Sequence, residues 1–234
     1  MSAMSGLELR TVITSGGELR LWLEDREVPE LAADEVLIRV QATPVNPSDI
    51  GVLFGPADLS TLRNVGTVAR PEIVASVPEP RLAGVTGRLD QPLPAGNEGA
   101  GVVVAAGTEA QSALGRGVAT QTYGMYAQYR VARLDDCLVL AEGIVPRVAA
   151  SAFINPLTAL GMIETARLEG HTALVHTAAA SNLGQILTRL CLADGVPLVN
   201  VVRSDEQAEV LHALGARHVV DSTRSTFLTD LDDA

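Results

Sequence analysis

Small residues between a predicted strand and a predicted helix are the clearest candidates for chemistry in this chain. Ala178, Ser181 and Gly184 follow the apolar stretch 172–176 in A-x-x-S-x-x-G spacing and open the helical pattern 182–193. Small residues there allow a tight turn, close approach of backbone amides to a pyrophosphate, and close packing of helix on strand. The spacing predicts a dinucleotide site, with an ordinary tight turn of a flavodoxin-like fold as the alternative.

Arg203 stands about 20 residues beyond Gly184, where the second predicted strand, 197–202, ends. An acid at this distance binds the ribose hydroxyls in dinucleotide folds, whereas an Arg accommodates a 2′-phosphate. Arg203 therefore predicts NADPH as the cofactor. In the alternative, Asp205 binds the ribose and Arg203 is a solvated side chain.

The composition excludes several classes of partner and enzyme. The 234 residues include 28 acidic and 17 basic ones, for a formal net charge of −11. Nucleic acids and anionic membranes bind basic surfaces, so neither is an expected partner. All 17 basic residues are Arg. A chain without Lys has no Schiff-base lysine, no P-loop lysine and no lysine general base.

Cysteine spacing and hydropathy favour a cytoplasmic protein. Cys137 and Cys191 form no C-x-x-C pair, so neither a disulfide framework nor a cysteine-rich zinc module is expected. Residues 1–20 lack the apolar segment of a signal peptide. No apolar run reaches the ~20 residues that a membrane helix needs.

Short apolar runs broken by polar residues predict a β-rich first half. Strands are expected at 7–13, 19–24, 36–41, 99–106, 126–131 and 137–140. The proline-rich segment 56–94 shows no sustained period. We expect this segment to be a loop over the surface, with a lid near a substrate pocket as the alternative.

Helical patterns alternate with short strands after Pro146. Helices are expected at 155–168, 182–193 and 205–214, and strands at 172–176, 197–202 and 217–221. This β-α-β-α-β order predicts an α/β domain with one mononucleotide-binding half of a doubly wound fold. The domain boundary is placed near Pro146. Because a doubly wound domain has two such halves, we expect the chain to be incomplete.

Five motifs, in order along nearly the whole chain, carry a family resemblance. They are V-N-P-S-D at 45–49, G-N-E-G-A-G at 96–101, G-M-Y-A-Q-Y at 124–129, N-P-L-T-A at 155–159 and the turn 178–184. With them the chain resembles the medium-chain dehydrogenase/reductase superfamily, in its zinc-independent quinone oxidoreductase and 2-enoyl thioester reductase branch. The resemblance implies a GroES-like catalytic domain at 1–146. It also implies a Rossmann-type NAD(P)-binding domain at 147–234, truncated after its first half.

The resemblance also implies roles for single residues. Asn46 would lie near the nicotinamide and donate a hydrogen bond to a developing oxygen charge; alternatively it caps the helix that Pro47 opens. Thr158 would contact the nicotinamide end of the cofactor, or else pack its helix. Tyr126 is the remaining candidate for a catalytic phenol, because the Tyr of the enoyl reductases is missing after the V-N-P-S-D motif; packing is its alternative. The cofactor-binding candidates are Thr158, Ala178, Ser181, Asn182, Gly184 and Arg203.

The ligands of a zinc site are missing from the first domain. Asn97 stands where the zinc alcohol dehydrogenases have the His of their G-H-E motif, and no His precedes His171. Zinc needs Cys, His or carboxylate ligands, and Cys137 alone supplies neither a catalytic nor a four-cysteine structural site. No metal is expected.

These observations together predict an NADPH-dependent, zinc-independent oxidoreductase. It would transfer hydride to an activated carbonyl or a conjugated double bond of a small-molecule substrate. The alternative is a non-catalytic fragment or inactive family member that acts as a binding module. A homo-oligomer is an option for the full-length protein.

Overall fold

Alternating apolar and polar residues build the first strands of the chain. In this computed structural model, which describes residues 4–234, β1 (Ser5–Ile13) pairs antiparallel with β2 (Glu18–Glu27). Ile13 and Leu19 face inward and are fully buried. Residues 1–3, which belong to the predicted first domain and to the stretch without a signal peptide, lie outside the described residues.

Eight further strands complete two five-stranded antiparallel sheets. They are β3 (Glu35–Ala42), β4 (Arg63–Asn64), β5 (Glu72–Ser76), β6 (Leu93–Pro94), β7 (Gly99–Ala106), β8 (Gly117–Thr120), β9 (Tyr129–Arg133) and β10 (Cys137–Val139). The first sheet has the order β4-β5-β2-β1-β6 and the second the order β10-β8-β7-β3-β9. An isolated bridge joins Glu8 of β1 to Ala127, which lies in the segment just before β9. The short helices of this part are α1 (Pro47–Leu53), α2 (Glu79–Leu82) and α3 (Pro146–Ala149).

The expectation that segment 56–94 is a surface loop is wrong for its middle part. Strand β5 pairs with β2 along its whole length, both Val74 and Ala75 are buried, and Ala75 packs in the core cluster beside the first sheet. A five-residue strand between Pro71 and Pro78 is too short to show a period, so the sequence pattern concealed it.

The second part of the chain is a parallel three-stranded sheet with helices. Its elements are α4 (Ile154–Leu168), β11 (Leu174–His176), α5 (Asn182–Asp194), β12 (Leu198–Val202), α6 (Asp205–Ala213), β13 (His218–Asp221) and α7 (Phe227–Asp232). The strand order is β11-β12-β13, and both pairings are parallel. The predicted β-α-β-α-β order is confirmed. Buried Ile163, Leu187 and Leu198 pack α4, α5 and β12 together.

The chain divides into two compact units between Ala152 and Phe153. Pro146, where we expected the boundary, is instead the first residue of α3. This short helix contacts β3, β7 and β8 and so belongs to the first unit. A Pro at the first position of a helix marks a helix start, and here that start lies before the boundary.

Among the helices that residues 4–234 form, none has the length and apolar character of a membrane span.

Candidate functional site

A cleft of about 900 Å³ lies in the second unit, beside the carboxyl ends of β11 and β12. Parallel α/β sheets bind ligands at this end of their strands. The cleft is lined by polar and charged side chains together with apolar ones: Thr177, Ala178, Ala180, Ser181, Val201, Val202, Arg203, Glu206, Gln207, Val210, Ser222 and Phe227.

The turn between β11 and α5 needs its small residues. Ala178 adopts a positive φ of 53°, in the left-handed region. Ser181 is the N-cap of α5, and its Oγ accepts a hydrogen bond of 3.2 Å from the Gly184 amide. A Cβ at Gly184 would lie 2.2 Å from the carbonyl oxygen of Ala179, so only Gly allows this close approach.

In the first turn of α5, Ser181 accepts hydrogen bonds from the amides of Gly184 and Gln185. The amides of Asn182 and Leu183, in contrast, have no acceptor among residues 4–234. Asn182 is the first residue of the helix and is exposed. The Gln185 side chain donates to the Ala180 carbonyl across 2.9 Å and holds the turn against the helix. Unpaired amides and the positive end of the helix dipole favour an anion at this position.

Arg203 lines the cleft directly after β12. Its backbone amide donates to Gln207 Oε1 across 2.9 Å, while the Gln207 amide donates to the N-cap hydroxyl of Ser204 across 3.3 Å. These bonds fix the turn that begins α6. The Arg203 side chain is exposed, and its guanidinium forms no ion pair within residues 4–234.

Asp205, the alternative ribose ligand, does not line this cleft. Its Oδ1 accepts a 2.6 Å ion-paired hydrogen bond from Arg224 Nη2. It lines a different cavity, together with Asp221 and Arg224. The Arg224 guanidinium also lies 3.6 Å from Asp221. The structure thus brings Arg203 to the cleft and leaves Asp205 outside it.

Thr158 lies on the exposed face of α4. Its hydroxyl donates to the Ile154 carbonyl one turn earlier, across 2.6 Å. The hydroxyl is therefore engaged by its own helix, and its contact with a cofactor stays a prediction.

Three buried polar residues meet in the first unit. Asn46, Asp49 and Glu98 are 5%, 1% and 1% exposed. Asn46 is the N-cap of α1, and its backbone amide donates to Asp49 Oδ2 across 2.8 Å. Its side-chain Nδ2 donates to Glu98 Oε1 across 3.0 Å. Asn46 thus occupies the cap position of α1, yet its amide group is directed to Glu98.

Tyr126 lies beside this group and is half-buried. Its hydroxyl donates to the Pro44 carbonyl across 3.0 Å. Burial raises the pKa of the phenol above its usual value, and the nearby Asp49 carboxylate raises it further. A Cβ at Gly96 would lie 2.6 Å from the Tyr126 ring, so the glycine makes room for it. A catalytic role for Tyr126 stays a prediction.

Sequence reasoning assigned no role to Glu98, Asp49 or Glu206. Glu98 and Asp49 lie inside the quoted motifs, and an acid within the largely apolar run after Gly96 is the signal that could have identified Glu98. Glu206 lies in the first turn of α6, where acids are common helix-starting residues, so nothing in the sequence distinguishes it from Asp205.

Within the described part of the chain, no three or more His, Cys, Asp or Glu side chains are placed to hold a metal ion. Asn97, at the position of the missing zinc-binding His, donates from Nδ2 to Ser48 Oγ across 3.1 Å. The two cysteines are apart in the sequence and free, and burial raises the pKa of both thiols.

Known proteins that are similar to this chain in sequence include enoyl reductases and a quinone oxidoreductase. No protein-family model matches the chain. The mitochondrial enoyl-[acyl-carrier-protein] reductase of Bos taurus is 27% identical over 206 residues, which are 85% of this chain and 48% of that protein. The chain spans about half the length of the curated relatives it matches.

Solved structures show the same fold. A Mesorhizobium loti protein assigned as an NADPH:quinone reductase is 28% identical, with a TM-score of 0.69 over 100% of this chain and 65% of that one. The Escherichia coli quinone oxidoreductase complexed with NADPH is 17% identical, with a TM-score of 0.70 over 98% of this chain and 62% of that one. Its likeness concerns the fold alone. The sequence relatives are enoyl reductases and an NADPH quinone oxidoreductase, so the predicted resemblance to that branch of the medium-chain dehydrogenase/reductase superfamily is confirmed.

Proposed function

We propose that the chain belongs to an NADPH-dependent oxidoreductase that reduces an activated carbonyl or a conjugated double bond, of the quinone, enone or enoyl thioester type, and that its second unit binds the cofactor. The observation that carries this proposal is the cleft at the carboxyl ends of β11 and β12, where the N-terminus of α5 and the unpaired guanidinium of Arg203 are both present. The names of its relatives support the same class of reaction.

The residues of the cleft fit a dinucleotide with a 2′-phosphate. Gly184 permits the close packing of α5, and the turn Ala178–Ser181 directs the free amides of the helix toward a pyrophosphate. Arg203 supplies paired donors for the 2′-phosphate. Val210 and Phe227 add apolar surface of the kind that accommodates an adenine ring. We further assign Asn182 and Thr158 to contacts with the cofactor.

NADPH, when bound, supplies the hydride. The chain's own residues bind and orient the cofactor and the substrate, and they stabilise the charge that develops on the substrate. The Asn46 amide has two N–H donors, and one of them is taken by Glu98. We propose that the second, which has no partner among residues 4–234, donates to the substrate oxygen that gains negative charge. Tyr126 remains a candidate proton donor for the same oxygen, although its raised pKa makes it a weak acid.

Zinc-independent chemistry and the domain types belong to the same proposal. At the G-N-E-G-A-G motif, Asn97 occupies the position of the missing zinc-binding His and donates to Ser48, and the neighbouring carboxylates of Asp49 and Glu98 have no His or Cys beside them to complete a metal site among the described residues. We propose that the first unit is a GroES-like catalytic domain and that the second is one half of a Rossmann-type domain.

The test is an absorbance assay of NADPH oxidation by the chain, with a quinone or a trans-2-enoyl thioester added as the acceptor. The proposal expects acceptor-dependent loss of the nicotinamide absorbance. Saturable binding of NADPH without turnover of either acceptor would instead support the binding-module alternative.

A further inference from the structure

Two charged side chains line the cleft of the second unit among the residues described there, and they have opposite sign. They are Arg203 and Glu206. They stand on either side of one capped turn, which is fixed by the bonds from Arg203 to Gln207 and from Gln207 to Ser204. Their side chains form no ion pair with each other, so each is available to a ligand.

Asp205 is the neighbour of Glu206 in the same helical turn, but the two acids differ in their surroundings. Asp205 is held by Arg224 and lines the other cavity. Glu206 lines the cleft that contains the Ala178 turn. Successive residues of a helix point in different directions, so the carboxylates of Asp205 and Glu206 line different cavities.

We infer that Glu206, and not Asp205, is the acid of the ribose subsite, and that Glu206 and Arg203 together set the choice between NADPH and NADH. The inference rests on the proposed function. A carboxylate accepts hydrogen bonds from the free ribose hydroxyls of NADH. The same carboxylate repels a 2′-phosphate, which Arg203 attracts. Wild type should therefore bind both cofactors, because Arg203 attracts the 2′-phosphate of NADPH and Glu206 accepts hydrogen bonds from the ribose hydroxyls of NADH.

The experiment is a calorimetric titration of the chain with NADPH and with NADH, for wild type, Glu206→Gln and Asp205→Asn. Both variants remove one negative charge from the first turn of α6, so they are matched in that charge and in the helix-dipole effect, and Asp205→Asn additionally breaks the ion pair with Arg224. For Glu206→Gln we expect tighter NADPH binding and weaker NADH binding, each by about two- to fivefold, as for exposed charge pairs. Added salt should shrink the change in NADPH binding. Asp205→Asn should leave the ratio of the two affinities unchanged.

An unchanged ratio of the two affinities in Glu206→Gln would overturn the inference, and two further results would overturn it while leaving NADPH binding in place. One is an equal change of the ratio in both variants, which would mean a general effect of charge at the helix end. The other is a larger change in Asp205→Asn, which would make Asp205 the ribose ligand. If wild type bound neither nucleotide, the proposed function would fail and this inference with it.

Discussion

The Asn46 side-chain amide donates a hydrogen bond to Glu98 Oε1 across 3.0 Å, and both side chains are buried. This bond joins the start of α1 to the residue just before β7, two segments 52 positions apart. It connects two motifs that are remote in sequence. It also fixes the orientation of the amide that we propose to face the substrate oxygen.

Replacing Glu98 tests how much this hydrogen bond contributes to the free energy of unfolding. Glu98→Ala removes the acceptor and leaves the Asn46 amide buried without it, so we expect a loss of about 1–3 kcal/mol in the free energy of unfolding. Glu98→Gln keeps an acceptor oxygen and should lose less. Urea denaturation of both variants measures the difference. If the two variants lost equal stability, the acceptor role of Oε1 would be wrong.

Gly184→Ala should destabilise the second unit. The new Cβ would meet the Ala179 carbonyl at 2.2 Å, and backbone cannot move aside cheaply, so we expect a loss of about 1–3 kcal/mol. The matched control is Gly161→Ala in α4, where a Cβ meets nothing within 4 Å. That change should stabilise the chain by about 0.5–1 kcal/mol, because Ala favours helix over Gly. Thermal unfolding of both variants gives the sign of each effect.

The sequence predicted some elements closely and others not at all, for physical reasons. The Val-rich stretch of β7 was predicted with its bounds, Gly99–Ala106, because the strand is long and apolar. Strand β5 was missed because its five residues lie between prolines. The sequence left open whether Arg203 or Asp205 faces the ribose, because the ion pair that holds Asp205 is formed with Arg224, 19 positions away in the sequence.

Arg203→Ala should weaken NADPH binding selectively. The guanidinium forms charge-assisted hydrogen bonds with a 2′-phosphate, so we expect a loss of ~1.5–3 kcal/mol, on the order of ten- to a hundredfold in affinity. NADH has no such phosphate and should bind almost as before. Arg189→Ala, on the exposed surface of α5 and outside the cleft, serves as the charge control. Equal losses for both cofactors would mean that Arg203 supports the turn instead.

Tyr126→Phe should change stability in a pH-dependent way. The folded state raises the pKa of this phenol, so the unfolded chain ionises first as pH increases. Wild type should therefore lose stability above about pH 10, by up to ~1.4 kcal/mol per pH unit. The variant lacks this contribution, although the cysteines still titrate with the same sign. At neutral pH the lost bond to Pro44 should cost about 0.5–1.5 kcal/mol.

Urea denaturation of both proteins across pH 7 to about 11 measures this difference. The stability gap between wild type and Tyr126→Phe should be largest at neutral pH and should narrow in alkali. A gap that stayed constant over this range would contradict an elevated phenol pKa.

Hydrogen–deuterium exchange with and without NADPH tests the central claim most directly, because it locates the nucleotide on the backbone. We predict slower exchange on NADPH addition in two segments, the turn and first helical residues at 178–185 and the Arg203–Gln207 turn, with the strands of the first sheet unchanged. Unchanged exchange in both segments at saturating NADPH would contradict the assignment of this cleft as the cofactor site.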